Sequence, residues 1–432
     1  MSVYDRWHLS RQPDADARRC PKHRKFPSRE HGTGLQWQVR GTDGEGKPVR
    51  RNFATKAEAD EFHAKLRAEV RAGTWIDERD GEITLERYAR GWLENRVHDP
   101  ATAQRVLGGF RNHVFEDDDR TRRGRTVKGG QSIGQYPLRI LARRASLLQG
   151  WIKSMPLHPN TVLLIITDVS AVFQGAVDDH IITSNPLKAA SIQRPDEVKR
   201  EAIAWTAEQV EAVAAQLPAE LELAPYLGAG IGHRPGELRA AAVEDLGPML
   251  RMCHVEYQVK YLNGRVFFAP VKNHDRCPYR DVPVADDLVP LIARHLELYP
   301  ALKVTLPFMD GAGKVDGSMT RSLIFHNGAS AWYAGTFDYP WSRAVERAAK
   351  SAVMPADRNT PHVLRHTAAT NWLANGLNLA AVAAYLGDTK ETIIHTYSHV
   401  LPNDDTRARD IMNAFFRGSR DDKMPGRSLT DG

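Results

Sequence analysis

Four segments in the second half of the chain hold side chains whose types suit chemistry at an anionic centre. The stretch GIGHRPGELRAAAVEDL carries Arg234 in a turn made by glycine and proline between two helical patterns, with Glu237 opening the second. The stretch PVKNHDRC carries Lys272 on a connection between two strand-like segments. TPHVLRHTAATNWLANG reads as a helix with proline in its first turn, which puts His362 and Arg365 on one face. AAYLGDTKETIIHTYSHV places Tyr397 near the end of a short helix. Guanidinium groups bind oxyanions, an amine or an imidazole moves protons, and a phenol can attack and later leave. Each residue alone also has an ordinary structural reading: Arg234 as a surface ion-pair partner, His362 as a satisfied core histidine, Tyr397 as a packed amphipathic residue.

The order of the set is what discriminates. An arginine in G-x-R-x-x-E-L, a lysine in a turn between strands, H-x-x-R on a helix, then L-G and Y-S-H in succession resemble the tyrosine recombinase, or phage integrase, family. The resemblance spans essentially the whole chain, and the opening DRWH, with WQVR and FATKAEA after it, looks most like integrases of actinobacterial phages and integrative elements. It implies that Tyr397 is the nucleophile of a phosphotyrosine intermediate, which conserves the bond energy so that religation needs no ATP. It further implies that Arg234 and Arg365 hold the phosphate, that Lys272 protonates the departing 5′ oxygen, and that His362 moves the tyrosyl proton or binds phosphate. Glu237 then orients the arginine turn. Metal and cofactor are not expected, because cationic side chains take the metal's place.

The departure from the family pattern is Asp388, where a His or Trp after L-G usually donates a hydrogen bond to the scissile phosphate. An ionised carboxylate cannot donate. The favoured reading makes Asp388 and Glu391 an N-cap pair that starts the helix to Tyr397, rather than a phosphate contact. His395 and His399 flank Tyr397 by two residues each and would face elsewhere on a continuous helix.

The elements that must position these groups follow from length and pattern. At 432 residues the chain exceeds what one core usually organises. QWQVRGTDGEGKPVRRNFAT alternates around a glycine-containing turn and reads as a β-hairpin, and Ala59, Phe62, Leu66 and Val70 make an apolar stripe on a helix over Lys56–Val70. Helical stretches over Leu138–Ile152 and Asn160–Asp179 dominate the middle, with a polar, proline-containing exit at SIQRPDEVKRE. Thr206 with Gln209 opens the last region with a capping box, and RMCHVEYQVK, RVFFAPV and YRDVPV read as three strands. The expectation is an α+β multidomain chain: an arm-type DNA-binding module of β-hairpin plus helix (1–80), an all-helical core-binding domain (83–192), and a mainly helical catalytic domain with a small antiparallel sheet (203–417). A polar tail, expected to be disordered, ends it (418–432). Ala408, Ile411, Met412, Phe415 and Phe416 mark an amphipathic C-terminal helix that could dock on a neighbouring protomer or on its own domain.

Composition bounds the partners. The net charge of +6 permits a polyanion without establishing one. Arg18, Arg19, Lys22, Arg24 and Lys25 form one basic cluster, and Arg120, Arg122, Arg123, Arg125 and Lys128 a second; both suit phosphate contact, though solvated charge explains either alone. Cys20, Cys253 and Cys277 are odd in number and far apart, which argues against disulfides, and the Cys20/His23 spacing of a metal half-site finds no further ligands in the sequence pattern. Trp92, Trp151, Trp332, Trp341 and Trp372 fall mostly on helical apolar stripes and read as core. Uninterrupted apolar runs long enough to cross a membrane, or to serve as a signal peptide, are absent from the pattern, so a soluble cytoplasmic protein is expected. The resemblance implies duplex attachment-site DNA wrapped between the middle and catalytic domains, a homotetramer exchanging strands through a Holliday junction, and an excisionase or host DNA-bending protein as accessory partners. The rivals are a sequence-specific DNA-binding protein or regulator that no longer cuts and a type IB topoisomerase-like enzyme.

Overall fold

The computed structural model describes residues 2–14, 16–44, 46–73, 75, 77, 80–96, 99–115, 131–198, 202–350, 354–355, 359–400, 409–410 and 412–414. The second basic cluster, at Arg120 to Lys128, lies outside the described residues, as does the tail from 418; of the expected C-terminal helix only 409–410 and 412–414 are described, as helical. The chain divides into two compact units, residues 1–198 and 199–432.

The first unit opens with β1 (Ser2–Asp5), β2 (His8–Leu9), β3 (Phe26–Pro27), β4 (Trp37–Thr42) and β5 (Pro48–Phe53). The expected hairpin is β4–β5, antiparallel from Trp37↔Phe53 to Thr42↔Pro48, and β1 adds to its free edge with Val3 opposite Val39. β2 and β3 pair separately. Helix α1 (Lys56–Ala72) starts at a Thr55/Glu58 capping box and buries Ala59 and Leu66 against Val39 and Val49. Fully burying a side chain of Val or Leu size is worth about 1.5–3 kcal/mol, so this cluster of four supports only a small module.

The rest of the unit is helical: α2 (Leu85–Asn95), α3 (Pro100–His113), α4 (Leu138–Arg143), α5 (Ala145–Ser154) and α6 (Pro159–Asp178). The helix expected over Leu138–Ile152 is in fact two, broken at Arg144 (φ −124°, ψ 76°), where neither proline nor glycine marks the break. α6 is long and apolar enough to cross a membrane by length and composition alone. Its stripe Val162, Ile165, Ile166, Val169, Val172, Phe173 and Ala176 is instead buried in the core of this unit, and its Asp168 takes both Nη atoms of Arg105 at 2.7 and 3.1 Å. Trp151 is fully buried there, as expected.

The second unit runs α7 (Ala207–Ala214), α8 (Leu223–Ile231), α9 (Pro235–Ala240), β6 (Met252–Val255), β7 (Tyr257–Leu262), β8 (Arg265–Pro270), β9 (Arg280–Pro283), α10 (Leu288–Leu298), β10 (Leu302–Met309), β11 (Val315–Leu323), α11 (Ala334–Ala348), α12 (Val363–Ala374), α13 (Leu379–Leu386) and α14 (Lys390–Tyr397). RMCHVEYQVK, expected as one strand, makes two that join different sheets: β6 pairs β9, while β7 edges a four-stranded sheet ordered β11-β10-β8-β7. Pairings are antiparallel except for the parallel contact of β8 with β10 at Phe268 and Phe308. α8 is apolar all round and lies in the core among α7, α10 and α12, with Leu227 and Ile231 beside Leu364. Trp341 stacks on Trp205 in the same core, with ring centroids 5.7 Å apart and planes within 1°.

Candidate active site

Two helix ends deliver the arginines. α8 stops at Gly232, whose φ of 72° suits glycine, and the chain turns into Pro235 at the first position of α9, leaving Arg234 as the N-cap. Arg365 sits in the first turn of α12, buried, with Nη1 donating to the Gly232 carbonyl at 2.9 Å and Nη2 to the Leu386 carbonyl at 2.6 Å. The same backbone turn that aims Arg234 therefore also anchors Arg365. His362 is the N-cap of α12 and Pro361 precedes it, so the proline lies outside the helix rather than in its first turn.

The two guanidiniums meet at Asp388. Its Oδ1 accepts from Arg234 Nη2 at 2.6 Å, and its Oδ2 accepts from Arg365 Nη2. The expected N-cap role of Asp388 is corrected by this placement. Thr389 caps α14, its hydroxyl accepting from the Thr392 N–H at 3.0 Å, and Gly387 ends α13 with φ 62°. One hydroxyl satisfies the helix end at no charge cost, which frees the carboxylate to lie between two cations.

Glu237 is buried on the other side of Arg234, and it accepts from the Arg234 N–H at 2.7 Å and from Arg234 Nη1 at 3.1 Å. It also takes a two-pronged contact from Arg280, Nη1 to Oε1 at 3.2 Å and Nη2 to Oε2 at 2.6 Å. Burial alone would raise its pKa; the opposing charge and hydrogen bonds of Arg280, with Arg234 and Arg365, override it and bring the carboxyl down to about 2. Arg280 was not among the sequence candidates. The signal was present in the strand phase, because β9 buries Arg280 and Val282 alternately with exposed neighbours, and an arginine on the inward phase of a strand needs a buried anion. Three guanidiniums, Arg234, Arg280 and Arg365, thus face two carboxylates, Glu237 and Asp388, so the cluster keeps a positive surplus.

Tyr397 ends α14 as expected, buried among Ala369, Leu373, Val382, Leu386 and Ile393. Burial, tempered by the charge of Arg365 and reinforced by that of Asp388, pushes the phenol up to about 12. Its hydroxyl shares a 2.8 Å hydrogen bond with Nδ1 of His366. His366 was also missed in the sequence. It lies one turn after His362 on α12, and the two rings meet edge-on with centroids 4.9 Å apart. His362 keeps a face open to solvent, while desolvation on the inner side and then the charges of Arg365 and Arg234 lower its pKa. Behind the turn, burial and then Arg280 lower His233 to about 4, so it is neutral.

Lys272 is exposed on the connection between β8 and β9, and the described contacts leave it outside the arginine network. His395 is exposed on α14, and the side chain of His399 lies outside the described residues. In the first unit, Arg18, Arg19, Lys22, Arg24 and Lys25 are all exposed on one loop; Arg19 lies over the Phe26 ring at 5.1 Å, and Lys25 reaches Asp5 at 3.3 Å. That loop also corrects the reading of Cys20 and His23 as a half-set, because the β2–β3 pairing brings His8 and His31 beside them.

Residues 231–404 match the family model described as the phage integrase family. A tyrosine recombinase XerC-like protein of Caldanaerobacter subterraneus subsp. tengcongensis is 23% identical over 396 residues, covering 87% of this chain and 94% of that protein. Tyrosine recombinase XerC of Chlamydia caviae is 46% identical over 41 residues, which cover 10% of this chain and 13% of that protein. Among solved structures, the Tn1549 transposon integrase in complex with transposon right end DNA superposes with a TM-score of 0.57 at 19% identity, covering 77% of this chain and 99% of that one. At that identity the likeness is one of fold.

Proposed function

The chain belongs to the phage integrase family of tyrosine recombinases, and from that premise we propose that it is an integrase that cuts and rejoins attachment-site DNA through a 3′-phosphotyrosine at Tyr397. One observation carries the reading: Arg234 and Arg365, from two separate helix ends, converge on a single carboxylate. A carboxylate that accepts one Nη2 hydrogen bond from each of two guanidiniums occupies a position that suits a phosphodiester, whose two non-bridging oxygens can accept the same two hydrogen bonds. In this mechanism DNA phosphate displaces or joins Asp388, and the guanidiniums stabilise the charge that grows on the phosphoryl oxygens. The Tyr397 oxygen attacks phosphorus, its proton passing to His366 or His362. The bond to the 5′ oxygen breaks as Lys272 donates a proton there. Glu237 positions Arg234 and Arg280 without touching DNA. The reverse attack by a 5′ hydroxyl expels Tyr397 and reseals the strand.

We further assign residues 1–80 to an arm site, 83–192 to core DNA and 203–417 to catalysis, in a cytoplasmic homotetramer that works through a Holliday junction with accessory DNA-bending or excision proteins. Duplex DNA is the partner; no cofactor enters the scheme. A second reading, a DNA-binding protein that no longer cuts, is favoured by the same Asp388, whose carboxylate competes with phosphate. A suicide duplex nicked near the cleavage point separates the two. A covalent protein–DNA adduct with the wild-type chain and none with Tyr397→Phe supports the recombinase; binding without adduct supports the second reading. Equal recombination of attachment-site plasmids by both proteins would sink the nucleophile assignment.

A further inference from the structure

We propose that the N-terminal module holds a structural zinc ion between His8, Cys20, His23 and His31. Their donor atoms all lie within 4.8 Å of one another. Cys20 Sγ stands 3.5 Å from His23 Nδ1, which is the S–N edge of a zinc tetrahedron built on bonds of about 2.3 Å to sulfur and about 2.0–2.1 Å to nitrogen. The His8 ring meets those of His23 and His31 edge-on, with centroids 4.8 and 5.1 Å apart at 70° and 74°, so the ring nitrogens can converge where stacked rings could not.

The ring nitrogens divide as metal ligation requires. His8 turns Nδ1 to Asp5 Oδ2 at 3.0 Å, leaving Nε2 for the ion. That Nε2 is buried without a hydrogen-bond partner, and so is Nε2 of His31. A carboxylate on the far nitrogen fixes the tautomer and orientation of a ligating histidine, and Asp5 supplies it while also accepting from Gln36 at 3.2 Å. Cys20 and His23 come from one tight turn, in which the Cys20 N–H donates to the Lys25 carbonyl at 2.8 Å and the Arg24 N–H to the Cys20 carbonyl at 2.7 Å. Arg24 takes a positive φ of 53° to close it.

This region has little else to organise it. Among the described residues from Ser2 to Gln36, His8 and Cys20 are the two that are buried, and both are donors to the cluster. A loop without an apolar core can obtain its folding free energy from a metal. One thiolate and three imidazoles with no open position make a closed four-coordinate set, which selects zinc in a structural role. Binding releases the Cys20 thiol proton to solvent and leaves the histidines neutral. The ion would fix the turn that presents Lys22 and Arg24, both exposed.

The full-length chain decides this, stripped with a chelator and reloaded with zinc or cobalt(II) alone. The expected results are roughly one zinc per chain by elemental analysis and, with cobalt, thiolate-to-metal charge-transfer absorption with the intense visible bands of a tetrahedral site. Cys20→Ser should abolish the charge-transfer band, His31→Ala should weaken zinc binding, and Cys277→Ser should change neither. If Cys20→Ser does not fold, the cobalt spectra of the wild-type and Cys277→Ser chains decide alone. A wild-type chain that takes up no zinc, or a cobalt spectrum without a thiolate band, overturns the proposal.

Discussion

Nδ1 of His366 and the hydroxyl of Tyr397 lie 2.8 Å apart, tying the last residue of α14 to the face of α12 that also carries His362. The phenol titrates near 12, so it is protonated at neutral pH and needs an acceptor to act as a nucleophile. His366 is the group already in place. His366→Leu should leave duplex binding intact and slow adduct formation on nicked DNA by about 100-fold or more. An unchanged rate would transfer the proton to His362 or to water.

The same phenol makes stability depend on alkaline pH. Its pKa is 10 in the unfolded chain and about 12 in the fold, so the protonated form favours folding. That contribution, on the order of 3 kcal/mol, is full below pH 10 and is lost as pH rises through 12. Burial raises Tyr88 as well, so the quantity to measure is the difference between wild type and Tyr397→Phe. The wild-type chain should lose more stability across pH 10–12 by denaturant titration, and parallel curves would mean that the phenol is solvated.

Glu237 works at the opposite end of the scale. Its folded pKa of about 2 lies below the ordinary glutamate value of 4.5, so its stabilisation is present above pH 4.5 and disappears as pH falls through 2. Glu237→Gln should flatten the acid limb of the stability curve in that window. At neutral pH it should cost about 3–5 kcal/mol, the usual result of leaving buried cations such as Arg280 unpaired. A loss under 1 kcal/mol would show that water replaces the carboxylate.

Asp388→Asn tests the carboxylate between the arginines. Removing its charge leaves Arg234 and the buried Arg365 one anion short, so apo stability should fall by roughly 1–3 kcal/mol. Duplex affinity at low salt should rise, and the slope of log affinity against log salt should steepen by about 0.9 for one additional phosphate contact. Unchanged affinity and slope would place Asp388 away from the bound phosphate.

These groups differ in how far the sequence betrays them. Arg234, His362, Arg365 and Tyr397 stand in local patterns, and the turn of Arg234, the shared helix start of His362 and Arg365 and the helix end of Tyr397 are where the structure has them, although Pro361 falls before the helix and not in its first turn. The β4–β5 hairpin and α1 were legible for the same reason, because strand alternation and the apolar stripe Ala59, Phe62, Leu66 and Val70 are local signals. What escaped reading depends on distant chain. Asp388 and Thr389 are both capable caps, and only the arrival of two arginines decides between them. β10 and β11 are an exception, a local hairpin from Leu302↔Leu323 to Met309↔Val315 that escapes because β11 opens on four exposed residues, Val315 to Ser318, with no buried–exposed alternation. His8 and His31 reach Cys20 through a two-residue strand pairing that no periodicity announces.

Lys272 admits the most selective test, because the described contacts leave it outside the cluster and its role rests on chemistry. A general acid matters only when the leaving oxygen needs a proton. If that oxygen is replaced by sulfur in a 5′-bridging phosphorothiolate, the thiolate departs unprotonated at neutral pH. Lys272→Ala should therefore cleave ordinary DNA about 100-fold or more below wild type and cleave the thio-substituted strand at the wild-type rate. Lys272→Arg keeps the charge but gives up the proton poorly, since guanidinium holds it above pH 12, so it should behave like the alanine variant on ordinary DNA. Equal defects on both substrates would assign Lys272 to binding phosphate instead of protonating the leaving group.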